Sequence, residues 1–187
     1  MPYPFVASPN VTHTEGRAID VVVMHTMEAA ERLDTAEVVA RWFARPDAEV
    51  SAHYCVDADS IVQCVREQDI AWHARGGNDH SIGIELAGYA GQGPKGWDDD
   101  YSWAVLERAS ALVADLCRRH DVPVRRLRAD DLRARRRGLT GHADVSAAFG
   151  RSTHWDPGPD FPWRRFLRLI RMRLALASDV VERSAQP

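Results

Sequence analysis

A chain of 187 residues, 45% of them hydrophobic, has the size and apolar content of one compact domain and lacks room for two ordinary ones. Its net charge of -3 conceals a polarity along the chain, since residues 1–100 carry 7 basic and 17 acidic side chains while residues 101–187 carry 17 and 10. No apolar run reaches the length of a membrane span and no nucleic-acid recognition motif accompanies the basic half, so stable membrane insertion and nucleic-acid reading are both set aside.

The opening MPYPFVASPN has neither the basic nor the apolar region of a secretory signal, which points to synthesis in the cytoplasm, with action there or release by another route. Residues 1–18, rich in proline and polar groups, read as an extended arm to a domain over 19–177. Cys55, Cys64 and Cys117 are an odd number at no zinc-ribbon spacing and read as core thiols. The run Ile19 to Met24 is a strand expected to be buried on both faces, and it closes on His25. Asp34, with Glu37 three residues on, predicts a capping box opening a helix whose apolar face is Val38, Val39, Trp42 and Phe43, ended by Arg45-Pro46. Ser51 to Val56 and Ile61 to Arg66 read as a hairpin, with Cys55 opposite Val62 and only diagonal to Cys64.

Further along, Trp72 and His73 either border a groove or sit in a plain loop. The strand Ser81 to Leu86 holds Glu85 in an apolar run, where a carboxylate must be paired, hydrogen-bonded or used. Gly91 to Gly96 formally matches a dinucleotide fingerprint but opens no βαβ helix, so it reads as a flexible loop. A helix from Asp99 or Asp100 to about His120 carries Trp103, Leu106, Ala109, Leu112, Val113 and Leu116 at helical spacing. Residues 121–138, with seven arginines, read as a solvated insertion, partly helical around Asp130 to Arg136. The last helix, Pro162 to about Ala177, has Trp163, Phe166, Leu167, Ile170 and Leu174 on one stripe and Arg164, Arg168 and Arg171 on another, and residues 178–187 read as a tail or the start of a linker. Strands interleaved with helices, plus one hairpin, make an α/β domain with a central mixed β-sheet flanked by helices.

The densest chemistry lies in TGHADVSAAFGRSTHWDPGPDFPW, Thr140 to Trp163. His142, His154 and Asp156 are ligand types that Zn²⁺ accepts at about 2.0–2.2 Å. Pro157 and Pro159 fix φ, and Gly158 permits a turn that other residues avoid. Taken alone, Asp156 serves equally well as a ligand or as a turn and cap residue. His25 would complete a zinc site, or be a satisfied core histidine.

In order, VVVMH, SAHYCVD, AWHA, NDHSIGIEL, TGHADVS and WDPGPDFPW resemble the zinc-dependent N-acetylmuramoyl-L-alanine amidases of the type-2 family, whose fold peptidoglycan recognition proteins and many phage endolysins share. The resemblance runs from Ile19 to Phe166. It implies a peptidoglycan recognition protein-like amidase fold, one Zn²⁺ held by His25, His142 and Asp156, Glu85 as catalytic glutamate, and a peptidoglycan or muropeptide substrate cut between N-acetylmuramic acid and L-alanine. Trp72, His73, Asn78 and Trp155 are expected to contact that substrate, and the protein to act as a monomer without nucleic acid.

Two positions depart from the family pattern. His154 stands where relatives often carry lysine, and Ala52 where some carry tyrosine. His154 is expected to steady the oxyanion, either as a cation or as a neutral N–H donor. A non-catalytic peptidoglycan-binding module and a zinc hydrolase of another amide are the alternatives. The intact set His25, His142, Asp156 and Glu85 argues against the first, while nothing in the sequence itself names the muramyl group. Phage lysin, cytosolic recycling enzyme and excised domain all fit the chain.

Overall fold

The computed structural model of the chain describes residues 3–184, with side chains as far as Ala177 at the C-terminal end. Strand β2 (Val21–Thr26) is buried along its whole length, as its β-branched run requires. It pairs in parallel with β6 (Ser81–Leu86) on one side and with β7 (Gly138–Gly141) on the other. Beyond β6 lie β3 (Tyr54–Val56), also parallel, and β4 (Ile61–Gln63), antiparallel to β3, giving the order β4-β3-β6-β2-β7. The sheet is therefore mixed, as expected.

Alternation along the strands divides the core. Val22, Met24, Ile82, Ile84 and Leu86 face helices α3 (Asp100–His120) and α6 (Trp163–Ser184), against Leu106, Leu112, Val113, Leu116, Phe166 and Ile170. Each such side chain contributes about 1.5–3 kcal/mol through burial. Val21 and Val23 face the other way, onto Leu127, Leu132 of α4 (Ala129–Arg133) and Val145 of α5 (His142–Phe149). Helix α1 (Thr35–Phe43) covers the β3–β4 end of that second face, over Cys55, Val62 and Cys64. His25 continues the Val21 and Val23 alternation and so belongs to this second face.

The arm is ordered from residue 3. Gln63 donates its N–H to Pro4, while Val6 and Ser8 donate to Gln63 and Cys64, so the arm saturates the edge strand β4. It then forms β1 (Val11–Thr12), antiparallel to β5 (Ile70–Ala71). Hairpin strands are shorter than expected but the register holds, with Cys55 opposite Val62. The Cys55 and Cys64 sulfurs are free thiols 3.9 Å apart.

Several local expectations give way to long-range contacts. Asp34 makes no side-chain cap on α1. Asp57 of the hairpin turn does so instead, accepting the Ala36 N–H at 2.9 Å while its other oxygen takes the amides of Asp59 and Ser60. One buried carboxylate thus fixes both the turn and the helix start. The buried side of α1 is Ala36, Ala40 and Phe43, leaving Val38 and Trp42 exposed. Residues 93–96 are not a loop but a short helix, α2 (Gly93–Gly96), which leads into the buried Trp97. Helix α6 continues past Ala177 to Ser184, and residues 185–187 lie outside those described.

The arginine-rich insertion is largely neutralised, with Arg126 on Asp144, Arg133 on Asp130, Arg136 on Asp131 and Arg137 on Asp20. Among the described residues, no helix is long and apolar enough to cross a membrane.

The C-terminal end of α3 is tied to the sheet through Glu67, which accepts from Tyr54, from Arg119 at 2.5 and 2.8 Å and from His120 at 2.6 Å. Burial opposes its ionisation, but these donors outweigh burial and pull its pKa down to about 2. Because the folded pKa is depressed, the stabilisation is complete above the unfolded value near 4.5 and fades as pH falls toward 2. Glu67→Gln should therefore cost about 1–3 kcal/mol at pH 7. Denaturant unfolding at stepped pH should show the gap between parent and variant closing below about pH 4.5.

Candidate metal centre

Register assembles the site. In the β2–β6 pair His25 lies directly opposite Glu85. The β2–β7 pair ends at Met24 opposite Gly141, so the next residues in line are His25 and His142, the first residue of α5. Glu85, His25 and His142 thus form one row at the carboxyl ends of three parallel strands, where α/β sheets present ligand sites. Glu85 and His25 lie on interior strands, and His142 follows β7, the last strand of the sheet.

Asp156 arrives from the segment after α5. Its carbonyl accepts the N–H of Ala143 at 2.9 Å, so the helix that begins at His142 holds the backbone of the carboxylate beside it. The Asp156-Pro157 peptide is cis, and Gly158 follows at φ +89. A Cβ there would fall 1.9 Å from the Ala90 carbonyl oxygen, so only glycine permits the segment to seat against the loop after β6.

His25 Nδ1 stands 3.0 Å from one carboxylate oxygen of Asp156 and His142 Nδ1 3.3 Å from the other. All three residues are buried, and a donor atom from each lies within 4.8 Å of the others. The opposite ring nitrogens are occupied: His25 Nε2 meets His73 Nδ1 at 3.0 Å, and His142 Nε2 meets the Ser152 hydroxyl at 3.3 Å. Both Nδ1 atoms therefore converge with a carboxylate on one point while their outer faces are satisfied, the arrangement expected around a cation. Two nitrogens and an oxygen fit zinc, and three protein ligands leave a position for water or substrate.

The titrating groups diverge. Burial works against ionised Asp156, yet hydrogen bonding to His142 and His25 outweighs it and holds the carboxyl well below its usual range. Burial pushes Glu85 well above that range, with Asp156 and Glu28 adding to the rise, and its Oε2 has no hydrogen-bond partner among the described residues. Burial also lowers His142, and it lowers His73 well below its ordinary value. His154 is exposed and stacks on His142, ring centroids 4.4 Å apart, and desolvation together with the His142 charge lowers its pKa.

Of the residues singled out from sequence, His25, His142, Asp156, Glu85, His154, Trp72 and His73 surround one cavity of about 280 Å³. A neighbouring cavity of about 430 Å³ shares Trp72, His73, His142 and His154 and extends to Asn78, Arg75 and Arg151. Trp155 departs from this grouping. With His154 and Asp156 turned inward, it is turned outward with Pro157 and Trp163 onto a separate cavity, and is 54% exposed. Sequence reading missed Trp42 and Val39, which make the first cavity's apolar wall, and Glu28, which accepts from Thr26 at 2.7 Å and Ala90 at 2.8 Å. Glu28 offered only one signal, a charge just past the strand that ends at His25.

Residues 15–159 match the family described as N-acetylmuramoyl-L-alanine amidase. N-acetylmuramoyl-L-alanine amidase A of Achromobacter lyticus is 31% identical over 177 residues, 88% of this chain and 90% of that protein. N-acetylmuramoyl-L-alanine amidase AmiD of Escherichia coli is 31% identical over 137 residues, 64% of this chain but 44% of its own length. Among solved structures, the Staphylococcus aureus hydrolase AmiA superposes with a TM-score of 0.71 at 15% identity, covering 96% of this chain and 86% of that one. AmpD gives a TM-score of 0.66 at 25% identity, covering 90% and 94%.

The seat of Asp156 can be tested without any metal. Gly158→Ala combines a left-handed φ with a collision against backbone, and should cost about 2 kcal/mol or more, a Tm loss of roughly 4–8 °C. Gly150→Ala, at φ +64 with nothing within 4 Å of a Cβ, isolates the φ contribution alone. Thermal melts of the two variants should differ, with Gly158→Ala the lower.

Proposed function

The chain belongs to the type-2 N-acetylmuramoyl-L-alanine amidase family, and on that premise we propose that it is a zinc-dependent enzyme of the cell wall that cleaves the amide between N-acetylmuramic acid and the L-alanine of the stem peptide. The carrying observation is the row of Glu85, His25 and His142 closed by Asp156. His25, His142 and Asp156 would hold the zinc. Once bound, the ion supplies Lewis acidity at the scissile carbonyl and brings the pKa of a water to about 7.

Glu85 has the position of the proton carrier. Its neighbour in register is the ligand His25, and burial favours its protonated form, so a proton taken from the attacking water is retained for delivery to the departing alanine nitrogen. His154 is the candidate oxyanion donor, set beside His142 at the groove wall. The lowered pKa supports a neutral imidazole offering its N–H over a cation. One such donor is typically worth about 2.7–4 kcal/mol. Across the groove, Trp42 and Val39 suit uncharged substrate surface, while Arg75 and Arg151 at the far end, near Asn78, suit carboxylates of a stem peptide.

Metal analysis and turnover separate these roles. His25→Ala, His142→Ala and Asp156→Ala should each lose bound zinc. Glu85→Gln should keep zinc and lose about 10²- to 10⁴-fold in release of L-alanine amino termini from purified walls. Glu85→Gln working at the parent rate would remove Glu85 from the proton path. His154→Ala should likewise retain zinc while turnover falls about 10²- to 10³-fold. Zinc lost with His154 would make it a ligand instead.

A further inference from the structure

His73 lines the groove, yet both of its ring nitrogens are already engaged within the protein. Nδ1 meets His25 Nε2 at 3.0 Å, and Nε2 meets the Ser81 hydroxyl oxygen at 3.1 Å. Ser81 in turn donates its hydroxyl proton to the Gly77 carbonyl at 2.7 Å. A carbonyl can only accept, so the direction of the whole chain follows from its far end. With its own proton committed, Ser81 accepts from His73 Nε2–H. That leaves a lone pair on His73 Nδ1, which accepts from His25 Nε2–H. Once a metal takes the place of a proton between them, neutral His25 presents its lone pair on Nδ1, the atom that stands 3.0 Å from Asp156.

Packing holds this arrangement in place. The His25 and His73 rings meet edge to face, centroids 5.2 Å apart at 90°. Gly83 of β6 lies under His73, and a Cβ there would fall 2.4 Å from the ring, so the glycine is what admits the imidazole. His53 stands on the other side at 5.7 Å, its Nδ1 accepting the Gly83 N–H at 3.0 Å. The His142 limb is built differently. Its Nε2 meets Ser152, which meets Ser146 at 2.6 Å, and two hydroxyls fix no direction between them.

We propose that His73 is a positioning residue that fixes the tautomer and ring orientation of His25, and thereby the zinc affinity of the site, and that it is not a substrate contact. This rests on the zinc reading above.

Zinc dissociation constants, measured on the metal-free full chain by competition with a chelating indicator, test it. His73→Phe keeps a ring and removes both nitrogens, and should weaken zinc binding about 10- to 100-fold, as loss of such outer partners does elsewhere. His73→Asn, whose side-chain oxygen replaces the Nδ1 acceptor, should recover most of that loss. At saturating zinc the KM of His73→Phe should stay at the parent value. Should His73→Phe fail to fold by circular dichroism, Ser81→Ala removes the anchor at little change in volume and should weaken zinc in the same direction. Nitrogen-15 spectra of the zinc-loaded parent should show the His25 proton on Nε2. Zinc affinity equal to the parent's in the folded variants, or a raised KM at unchanged zinc affinity, overturns the proposal. A parent that takes up no zinc overturns the metal reading itself, which the variants alone cannot do.

Discussion

The site depends on a single constraint, the parallel register of β6, β2 and β7. Because side chains in neighbouring parallel strands that share a row also share a face, placing His25 opposite Glu85 and one step beyond the Met24–Gly141 pair brings the carboxyl and both imidazoles to one side of the sheet at once. A slip of one residue in β2 would exchange its Val21, Val23 and His25 set with Val22 and Met24, driving an imidazole into the α3 and α6 core and a thioether into the groove. The apolar core therefore specifies the catalytic row. Selection for packing and for chemistry acts through the same hydrogen-bond ladder.

Within that row two nearby carboxyl groups are driven apart in acidity by what surrounds them. Asp156 is buried but hydrogen-bonded to both imidazoles, which hold it ionised. Glu85 is partly exposed as a residue, but burial of its carboxyl, one oxygen of which has no partner among the described residues, pushes it toward the neutral form, and its acidic neighbours Asp156 and Glu28 add to this. A cation held by Asp156 would cancel one of those repulsions and draw Glu85 back toward the range in which a group can both take and give a proton. Metal binding would in this way be coupled through Asp156 to the proton affinity of Glu85.

Much of this was legible in the chain because the signals were local and opposed to their surroundings. Glu85 in an apolar strand, His25 at the end of another, and a ligand-type cluster stiffened by Pro157, Gly158 and Pro159 all stand out against their neighbours. The long amphipathic helix and its Asp99 cap, which accepts the Ser102 N–H at 2.8 Å, were also written locally. Features made by distant contacts were not. The Asp34 capping pattern is locally complete, yet Asp57 reaches the same helix from 21 residues away in sequence and displaces it. Trp42 follows the helical period of α1, but its side of the helix meets the groove and not the sheet. Trp155 shares a segment with two groove residues yet lines a separate cavity beside Pro157 and Trp163, a placement no local pattern announces.

The two histidine ligands differ in how firmly they are held. His25 belongs to an interior strand, its ring is backed by half-buried His73, and its hydrogen-bond chain runs through buried Ser81 to a backbone carbonyl. His142 is the first residue of a helix, its outer partner is a half-buried serine, and its other face is covered by the exposed ring of His154. Movement is thus easier on the His142 side, where hydroxyls can reorient and a surface ring can swing, than on the His25 side, where it would break hydrogen bonds that lead to buried Ser81 and a backbone carbonyl. Where His154 stacks is also where the groove continues toward Arg75 and Arg151. Were zinc held there as proposed, the more yielding of its two imidazoles would face the cavity that reaches Arg75 and Arg151.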